Sequence, residues 1–367
     1  MASIDQRNGK WRARYRDPSG ASRSRTFSRK VDAQRFLTTV EADKLRGSYV
    51  DPAAGRVTFE AFAGQWLAAQ TVDAKTQEGI ASHLRAHLLP AFGTVELRAI
   101  RPSSVQQWMA GASRGLAPSY VRLLLSTLSA ILGAAVEDGV IVKNPCRSRA
   151  VQPPPMTPTR VVPWTVAQVT DAVDALPERY RATAIVAAGC GLRQGEVFGL
   201  AVDAVDFLRQ RVEVRQQVKH VTGQGVVFCP PKRGKTRTVP LPETVAVALA
   251  EHLRVHPPGE DGLVFTNTAG GPINRGSFNN RAWKPAVSAA GLVPDRDNGF
   301  HVLRHTYASV MLEAGVSIRA LADYLGHTDP GFTLRVYTHL MPASEDRARQ
   351  AVDAAFSRVP DVSSGVL

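Results

Sequence analysis

Cysteine, acidic residues and long apolar runs are all in short supply in this chain. Three cysteines, Cys146, Cys190 and Cys229, are spread over 367 residues with no CxxC pair and no metal-ligand spacing, which argues against a disulfide framework or a zinc module. Cys190, beside Gly191, reads as a small core residue. No secretory leader opens the chain and no apolar run is long enough to span a bilayer. A soluble cytoplasmic protein without membrane contact is the expectation. Carboxylates number 32 against 45 Lys and Arg, a formal net charge of +13. That balance points to a polyanionic partner, and the Asp and Glu form no cluster such as a metal-dependent transposase needs.

The positive charge is concentrated at the start. In the first thirty residues nine Lys and Arg oppose only Asp5 and Asp17. Asn8-Gly9 is a strong hairpin signal, and Asp17-Pro18-Ser19-Gly20 marks a second turn. Between them Trp11, Ala13 and Tyr15 alternate with Arg12, Arg14 and Arg16, so one strand face is apolar and the other cationic; Arg23 and Arg25 continue the pattern in the next strand. A helix over 29–45 offers Phe36, Leu37 and Val40 to this small core and ends at Gly47. A charged sheet edge also guards against aggregation. Charge confined to the face opposite a core nevertheless favours DNA contact by Arg12, Arg14, Arg16, Arg23 and Arg25.

Residues 57–146 read as a helical bundle. Thr58 caps a helix bearing Phe59, Phe62 and Trp66; Ile80, Leu84 and Leu88 form a second stripe, stopped by Pro90 and Gly93. A third helix carries Val105, Trp108 and Met109, and the longest follows Pro118 with Val121, Leu124, Leu128 and Ile131. These stripes are core, while Lys75, Thr76, Ser119 and Arg122 on the outer faces are candidate DNA contacts. Residues 147–162, with Pro153-Pro154-Pro155 and Pro158, have the composition of a stiff extended linker rather than a packed element. The remainder, 163–350, begins with helices near 165–176 and 178–190. A strand is expected over 211–218 from Val212, Val214 and Val218, and another over 236–241 beyond the basic loop Lys232-Arg233-Gly234-Lys235. A tail, 351–367, follows. The expected class is therefore mainly α with small antiparallel β sheets (α+β).

The stretch His301–Leu340 organises the chemistry. His301 and Arg304 stand three apart and share a helix face, and Gly315 ends that helix. Ser317 caps a second, carrying Ile318, Leu321 and Leu325 inward and closing at Gly326-His327. Asp329-Pro330-Gly331 turns into a last short helix with Tyr337. Taken singly, these are ordinary residues: an arginine is more often a surface ion-pair partner, and a tyrosine a core aromatic with a wet hydroxyl.

The ordered set H-x-L-R-H-T, L-G-H and Y-T-H, preceded by Gly191-Leu192-Arg193-Gln194-Gly195-Glu196, resembles the tyrosine recombinase (phage integrase) family over most of the chain; Val302 stands where many members carry Asp. The resemblance implies an arm-type DNA-binding domain in 1–50, a core-binding domain in 57–146 and a catalytic domain in 163–350. It implies Tyr337 as nucleophile, Arg193 and Arg304 with His327 on the phosphate, His301 as base and a lysine of the hairpin loop, Lys232 before Lys235, as general acid. Glu196, His305 and His339 would support them. The chemistry suits the residues. Guanidinium groups give paired, permanently charged donors to nonbridging oxygens, and a phenol of pKa ~10 needs a base or cationic surroundings to attack. One ester replaces another through a 3′-phosphotyrosine, so neither metal nor other cofactor is required. Double-stranded DNA, a homotetramer on it, an excisionase and a host DNA-bending protein are the implied partners, with the protein nucleoid-associated when bound. The tail helix expected from Ala343 to Phe356, apolar at Ala348, Val352 and Phe356, would pack on a neighbouring protomer. Alternatives are a chromosome-dimer resolvase, a type IB topoisomerase, and a DNA-binding regulator derived from a recombinase.

An alkoxide is too basic to leave without a proton, whereas a thiolate is not. A DNA substrate with a bridging 5′ sulfur at the cleaved position should therefore restore cleavage to Lys232→Ala. Lys235→Ala should show weakened binding that sulfur leaves unchanged; rescue of Lys235→Ala alone reverses the assignment.

Overall fold

A computed structural model describes residues 2–18, 20–46, 49–51, 54–156, 161–259, 261–340 and 345–356. Ser19 of the second turn, the expected helix end at Gly47, Pro158 of the linker, Ala343 and the tail beyond 356 lie outside the described residues. The chain divides into two compact units, Met1–Thr157 and Pro158–Leu367.

The first unit opens with an antiparallel sheet, β1 (Ser3–Arg7), β2 (Lys10–Arg16) and β3 (Ser22–Phe27), with β2 in the centre. Asn8 and Gly9 both take positive φ, as a two-residue hairpin turn requires. Helix α1 (Lys30–Leu45) covers one face, burying Ala33, Leu37 and Val40 against Ala13 and Tyr15. The register corrects one expectation. Arg25 lies opposite Ala13 and Arg23 opposite Tyr15. Cross-strand partners share a face, so these two arginines belong to the helix side, not to the face of Arg12, Arg14 and Arg16. Arg25 lies over the rings of Phe27 and Phe36 at 5.3 and 5.2 Å, and Arg23 pairs with Asp17 and Asp51. The open face carries Ser3, Asp5 and Arg7 on β1, Arg12, Arg14 and Arg16 on β2, and Ser22, Ser24 and Thr26 on β3.

The bundle follows as α2 (Phe59–Ala68), α3 (Ala74–His83), α4 (Leu89–Phe92), α5 (Pro102–Ala112) and α6 (Pro118–Glu137). Pro90 does not stop the second helical run. A wide π turn, Leu84–Leu88, joins α3 to α4 and relieves the clash between a proline ring and the carbonyl one turn back. Helix α6 is long and apolar enough to cross a membrane by length and composition, which the sequence reading had not allowed for. Its Val121, Leu124, Leu125, Leu128, Ile131, Leu132 and Ala135 are instead buried, most of them in the bundle core. The linker expectation is also corrected at its start. Val151 is buried in that core, Gln152 N–H donates to Gln106 Oε1 at 2.9 Å, and Arg122 Nε donates to Pro154 O at 2.8 Å.

The second unit contains α7 (Val166–Ala175), α8 (Glu178–Cys190) and α9 (Gln194–Phe198), then β4 (Val205–Asp206), β5 (Arg211–Val214), β6 (Gln217–Val221), β7 (Gly225–Cys229) and β8 (Arg237–Pro240). The strand expected over 211–218 is two strands: β5 joins β4 and β8, while β6 pairs with β7 in a separate sheet. Alternation continues through Val218, but the chain changes sheet at Arg215-Gln216. Helices α10 (Glu243–Val255), α11 (Arg275–Phe278) and α12 (Lys284–Ala289) follow, the last entered through another π turn just before Pro285. Then come α13 (Val302–Glu313), α14 (Ile318–Leu325), α15 (Pro330–Tyr337) and α16 (Glu345–Phe356). Trp164 stacks on Trp283 at 5.6 Å and its backbone N–H donates to Thr306 Oγ1, fastening the start of the unit to α13.

Leu128 is fully buried, whereas Leu208 is 97% exposed. Leu128→Ala should lower the unfolding free energy by about 3 kcal/mol, through lost burial and the cavity left behind, and Leu208→Ala should change it by under about 0.5 kcal/mol. Urea denaturation of the two variants checks the contrast.

Candidate active site

Three short helix ends and one strand end converge in the second unit. Helix α8 stops at Gly191, whose φ of +66° turns the chain sharply. A Cβ there would lie 2.4 Å from Tyr307 Cδ1, so only glycine lets α13 pack this close. The turn delivers Arg193 as the N-cap of α9, and it points the Gly191 carbonyl at Arg304.

Arg304 is 1% exposed. It donates through Nη1 to Gly191 O at 2.7 Å, and through Nη2 to Leu325 O and to His327 Nε2, the latter at 3.1 Å. Burial and the charge of Arg193 push its pKa down to about 9, with Glu196 opposing, so it stays charged at neutral pH. A guanidinium can only donate, so His327 Nε2 must accept. His327 Nδ1 then carries the proton and donates to Thr333 Oγ1 at 2.7 Å. Desolvation and the nearby guanidinium groups of Arg304, Arg193 and Arg237 lower the His327 pKa to about 3, keeping the ring neutral.

Arg193, with its side chain 23% exposed, donates from Nη1 to Glu196 Oε1 at 2.9 Å, while its backbone N–H donates to Glu196 Oε2 at 2.8 Å. Arg237 grips the same carboxylate with two parallel bonds, Nη1 to Oε1 at 2.9 Å and Nη2 to Oε2 at 2.7 Å. Burial alone would raise the Glu196 pKa, but the hydrogen bonds and charge of Arg237, reinforced by Arg193, hold it at about 2. Two guanidinium groups thus share one carboxylate and a third, Arg304, lies within reach of its charge, a net positive site suited to a phosphodiester.

Tyr337, 1% exposed, ends α15. Its hydroxyl lies 2.8 Å from His305 Nδ1. Desolvation raises the phenol to about 12, with Arg304 and Arg193 pulling the other way; desolvation and Arg304 lower His305 to about 4. The imidazole in hydrogen-bond contact with the phenol is therefore His305, expected only as a support. His301, expected as the base, caps α13 and packs edge-on against His305 at 4.7 Å between ring centres. Desolvation, His305 and the guanidinium groups of Arg304, Arg193 and Arg275 lower its pKa to about 3. The residue is exposed, so water moderates the first of these effects. His339 Nε2 lies 2.7 Å from Val161 O, away from the phenol contact.

Lys232 and Lys235 lie on either side of an exposed turn between β7 and β8, and among the described residues no hydrogen bond ties either side chain to the arginine cluster. Of the expected DNA contacts, Arg14 is exposed, Arg12 pairs with Asp5 at 2.5 Å and Arg16 donates to Gly20 O. Lys75 pairs with Glu78, Thr76 bonds to the α3 cap Asp73, and Ser119 is exposed at the start of α6. Arg122 is exposed but holds the 151–156 segment. Arg237 and Thr333 were missed by the sequence reading. A signal for Arg237 existed, since it shares strand parity with the buried Val239 and so must face inward. Thr333 stands one helical turn before Tyr337.

Three family profiles match the chain: "Phage integrase family" over residues 163–344, "Phage integrase, N-terminal domain" over 3–47, and "Phage integrase, N-terminal SAM-like domain" over 58–111. A prophage phiRv2 integrase of Mycobacterium tuberculosis is 28% identical over 352 residues, covering 94% of this chain and 91% of the relative. Tyrosine recombinase XerD of Corynebacterium glutamicum is 30% identical over 276 residues, covering 69% and 82%. In fold, the chain is similar to the Tn1549 transposon integrase solved with circular intermediate DNA, with a TM-score of 0.71 at 21% identity, over 81% of this chain and 99% of that one.

The histidines and Glu196 make the second unit acid-sensitive. His305 and His327 have folded pKa values of about 4 and about 3, below the ordinary 6.5. The unfolded chain therefore takes up protons first, and their contribution is full above pH 6.5 and lost as pH falls toward 3. Glu196 adds a loss between 4.5 and about 2. The thermal midpoint should fall steadily below pH 6.5, and His327→Gln should flatten the upper part of that decline.

Proposed function

The chain belongs to the phage integrase family of tyrosine recombinases, and from that premise we propose how its own residues cleave and rejoin DNA at specific sites. Arg193 and Arg304 bind the nonbridging oxygens of the scissile phosphate, and His327 joins them as a third donor once that anion draws a proton onto its Nε2. Tyr337 attacks phosphorus, its proton passing to His305, and a 3′-phosphotyrosine forms as the bond to the 5′ oxygen breaks. Lys232 gives that oxygen its proton, and Lys235 contacts the backbone nearby. The reverse steps, with a 5′ hydroxyl from another strand as the attacking group, rejoin the exchanged ends.

The observation that carries this reading is the placement of a phenol, 2.8 Å from an imidazole, beside two guanidinium groups whose charges act on it. The resting groups are neutral where they must be. With His305 depressed to about 4 and Tyr337 raised to about 12, transfer of the phenolic proton is unfavourable until a phosphate shares the site. His301, packed on His305, would orient it, and Glu196 and His339 support the frame.

Residues 1–50 act as an arm-type DNA-binding domain, its open face presenting Arg7, Arg12, Arg14 and Arg16 among serine and threonine hydroxyls. The basic residues and hydroxyls of 57–146, including Lys75, Thr76, Ser119 and Arg122, form the core-binding domain, and 163–350 is catalytic. Exchange of two duplexes breaks four strands and each chain offers one Tyr337, so a tetramer on DNA is the working assembly. An arm-binding domain beside the catalytic one favours integration and excision of a mobile element over chromosome-dimer resolution, with an excisionase and a DNA-bending protein setting direction.

Tyr337→Phe removes one oxygen and leaves the ring. Binding to a nicked duplex carrying the attachment sequence should persist, while covalent protein–DNA adducts drop below detection on a denaturing gel. An adduct surviving in this variant rules out Tyr337.

A further inference from the structure

Arg237 belongs to none of the motifs that pointed to the chemistry, yet it is buried beside the site with a partner on every guanidinium nitrogen. We propose that Arg237 is a positioning residue that locks the two arginine-bearing segments, α9 and α13–α14, into one phosphate-binding frame; this rests on the reading of function given above.

Its side chain is 5% exposed, and its three guanidinium nitrogens all have partners. Nη1 and Nη2 hold the two Glu196 oxygens, and Nε donates to Tyr324 O at 2.6 Å. Tyr324 and Leu325 are the last two residues of α14, and Leu325 O accepts from Arg304. Consecutive carbonyls at one helix C-terminus, where the backbone dipole is negative, are thus gripped by two different arginines. His327 follows two residues later. A single side chain therefore joins Arg193, through Glu196, to the helix end that aligns Arg304 and His327.

The three arginines differ in what binds them. Arg237 is buried, with a carboxylate or carbonyl partner on each of its three nitrogens, and in this role it holds the frame without touching the phosphate. Arg304 is held by neutral acceptors, two carbonyls and an imidazole. Arg193 is partly exposed and gives Glu196 one guanidinium nitrogen. Without Arg237, the buried Glu196 carboxylate would keep one cationic partner, and a dry carboxylate draws such a partner into a two-bond grip. Arg193 would turn inward, away from the phosphate. Lysine cannot replace the fork, because one ammonium cannot span both carboxylate oxygens and a carbonyl on another helix. The neighbourhood is built around the guanidinium. Gly326, at φ +65°, packs over it so closely that a Cβ would lie 3.0 Å from Arg237 Cδ and 3.1 Å from Nη1.

The test uses the full chain and a nicked duplex carrying the attachment sequence recovered from the ends of the element. Single-turnover adduct formation is followed across pH at saturating DNA, beside DNA affinity and the thermal midpoint. Arg237→Gln and Glu196→Gln should each slow adduct formation about 100-fold, as loss of one aligned phosphate donor does, with the DNA dissociation constant changed less than about threefold. The double variant should be no slower than the slower single one, because both changes act on the same Arg193. Arg237→Lys, which keeps the charge if the glutamine variant does not fold, should lose about 10-fold. The acid limb of its pH profile should move upward as Glu196 loses its fork. Wild-type rates in folded Arg237→Gln or Arg237→Lys, or losses that multiply in the double variant, overturn the proposal. If the wild-type chain forms no adduct, the reading of function fails and the role of Arg237 falls with it.

Discussion

One buried carboxylate makes the rest of this site possible. Glu196 sits between Arg193 and Arg237 with a third guanidinium, Arg304, close by. Like charges brought together away from water repel, and each must also give up its hydration. The chain meets both demands with fixed dipoles and a single counter-charge. Two carbonyls at the end of α14 and one at the end of α8 face the guanidinium groups. Helix ends are the one place where backbone carbonyls remain without helical partners, which explains why the guanidinium groups gather where Gly191 and Gly326 close α8 and α14.

The same concentration of cations sets the protonation of everything nearby. The imidazoles rest neutral and the phenol rests protonated, each displaced by burial and, for the imidazoles, by guanidinium charge as well. On the proposed mechanism a bound phosphate supplies the anion that this arrangement lacks, favouring an imidazolium beside it. On that mechanism electrostatics ties the chemistry to the presence of DNA.

In the amino-terminal sheet a different constraint governs. Strand parity decides which arginines face outward, and parity across a hairpin depends on how the turn joins its two strands, not on composition. Arg12, Arg14 and Arg16 stay on the open face because they alternate with Trp11, Ala13 and Tyr15 within one strand. Arg23 and Arg25 fall on the helix side because β3 pairs with Tyr15 and Ala13 at those positions. Stacking on Phe27 and Phe36 gives Arg25 an apolar surface for its stem.

What the sequence determined by itself was local and periodic: the caps at Thr58 and Ser317, the turn at Asp329-Pro330-Gly331, the stripes of the bundle, the closing glycines at 315 and 326, and the order of the segments bearing Arg193, Arg304, His327 and Tyr337. Caps, stripes and turns depend on residues within a turn or two of each other, so spacing is enough to read them. Tertiary structure decided the rest. It alone put His305, not His301, in hydrogen-bond contact with the phenol, because two imidazoles one helical turn apart are equivalent by spacing and differ only in what packs against them. It split the strand through Val218 between two sheets. It also brought Arg237 to Glu196 and Tyr324, 41 and 87 residues distant in the chain. Pairing at that range leaves no periodic trace; it follows from which buried charges can find a partner once the helices have closed around them.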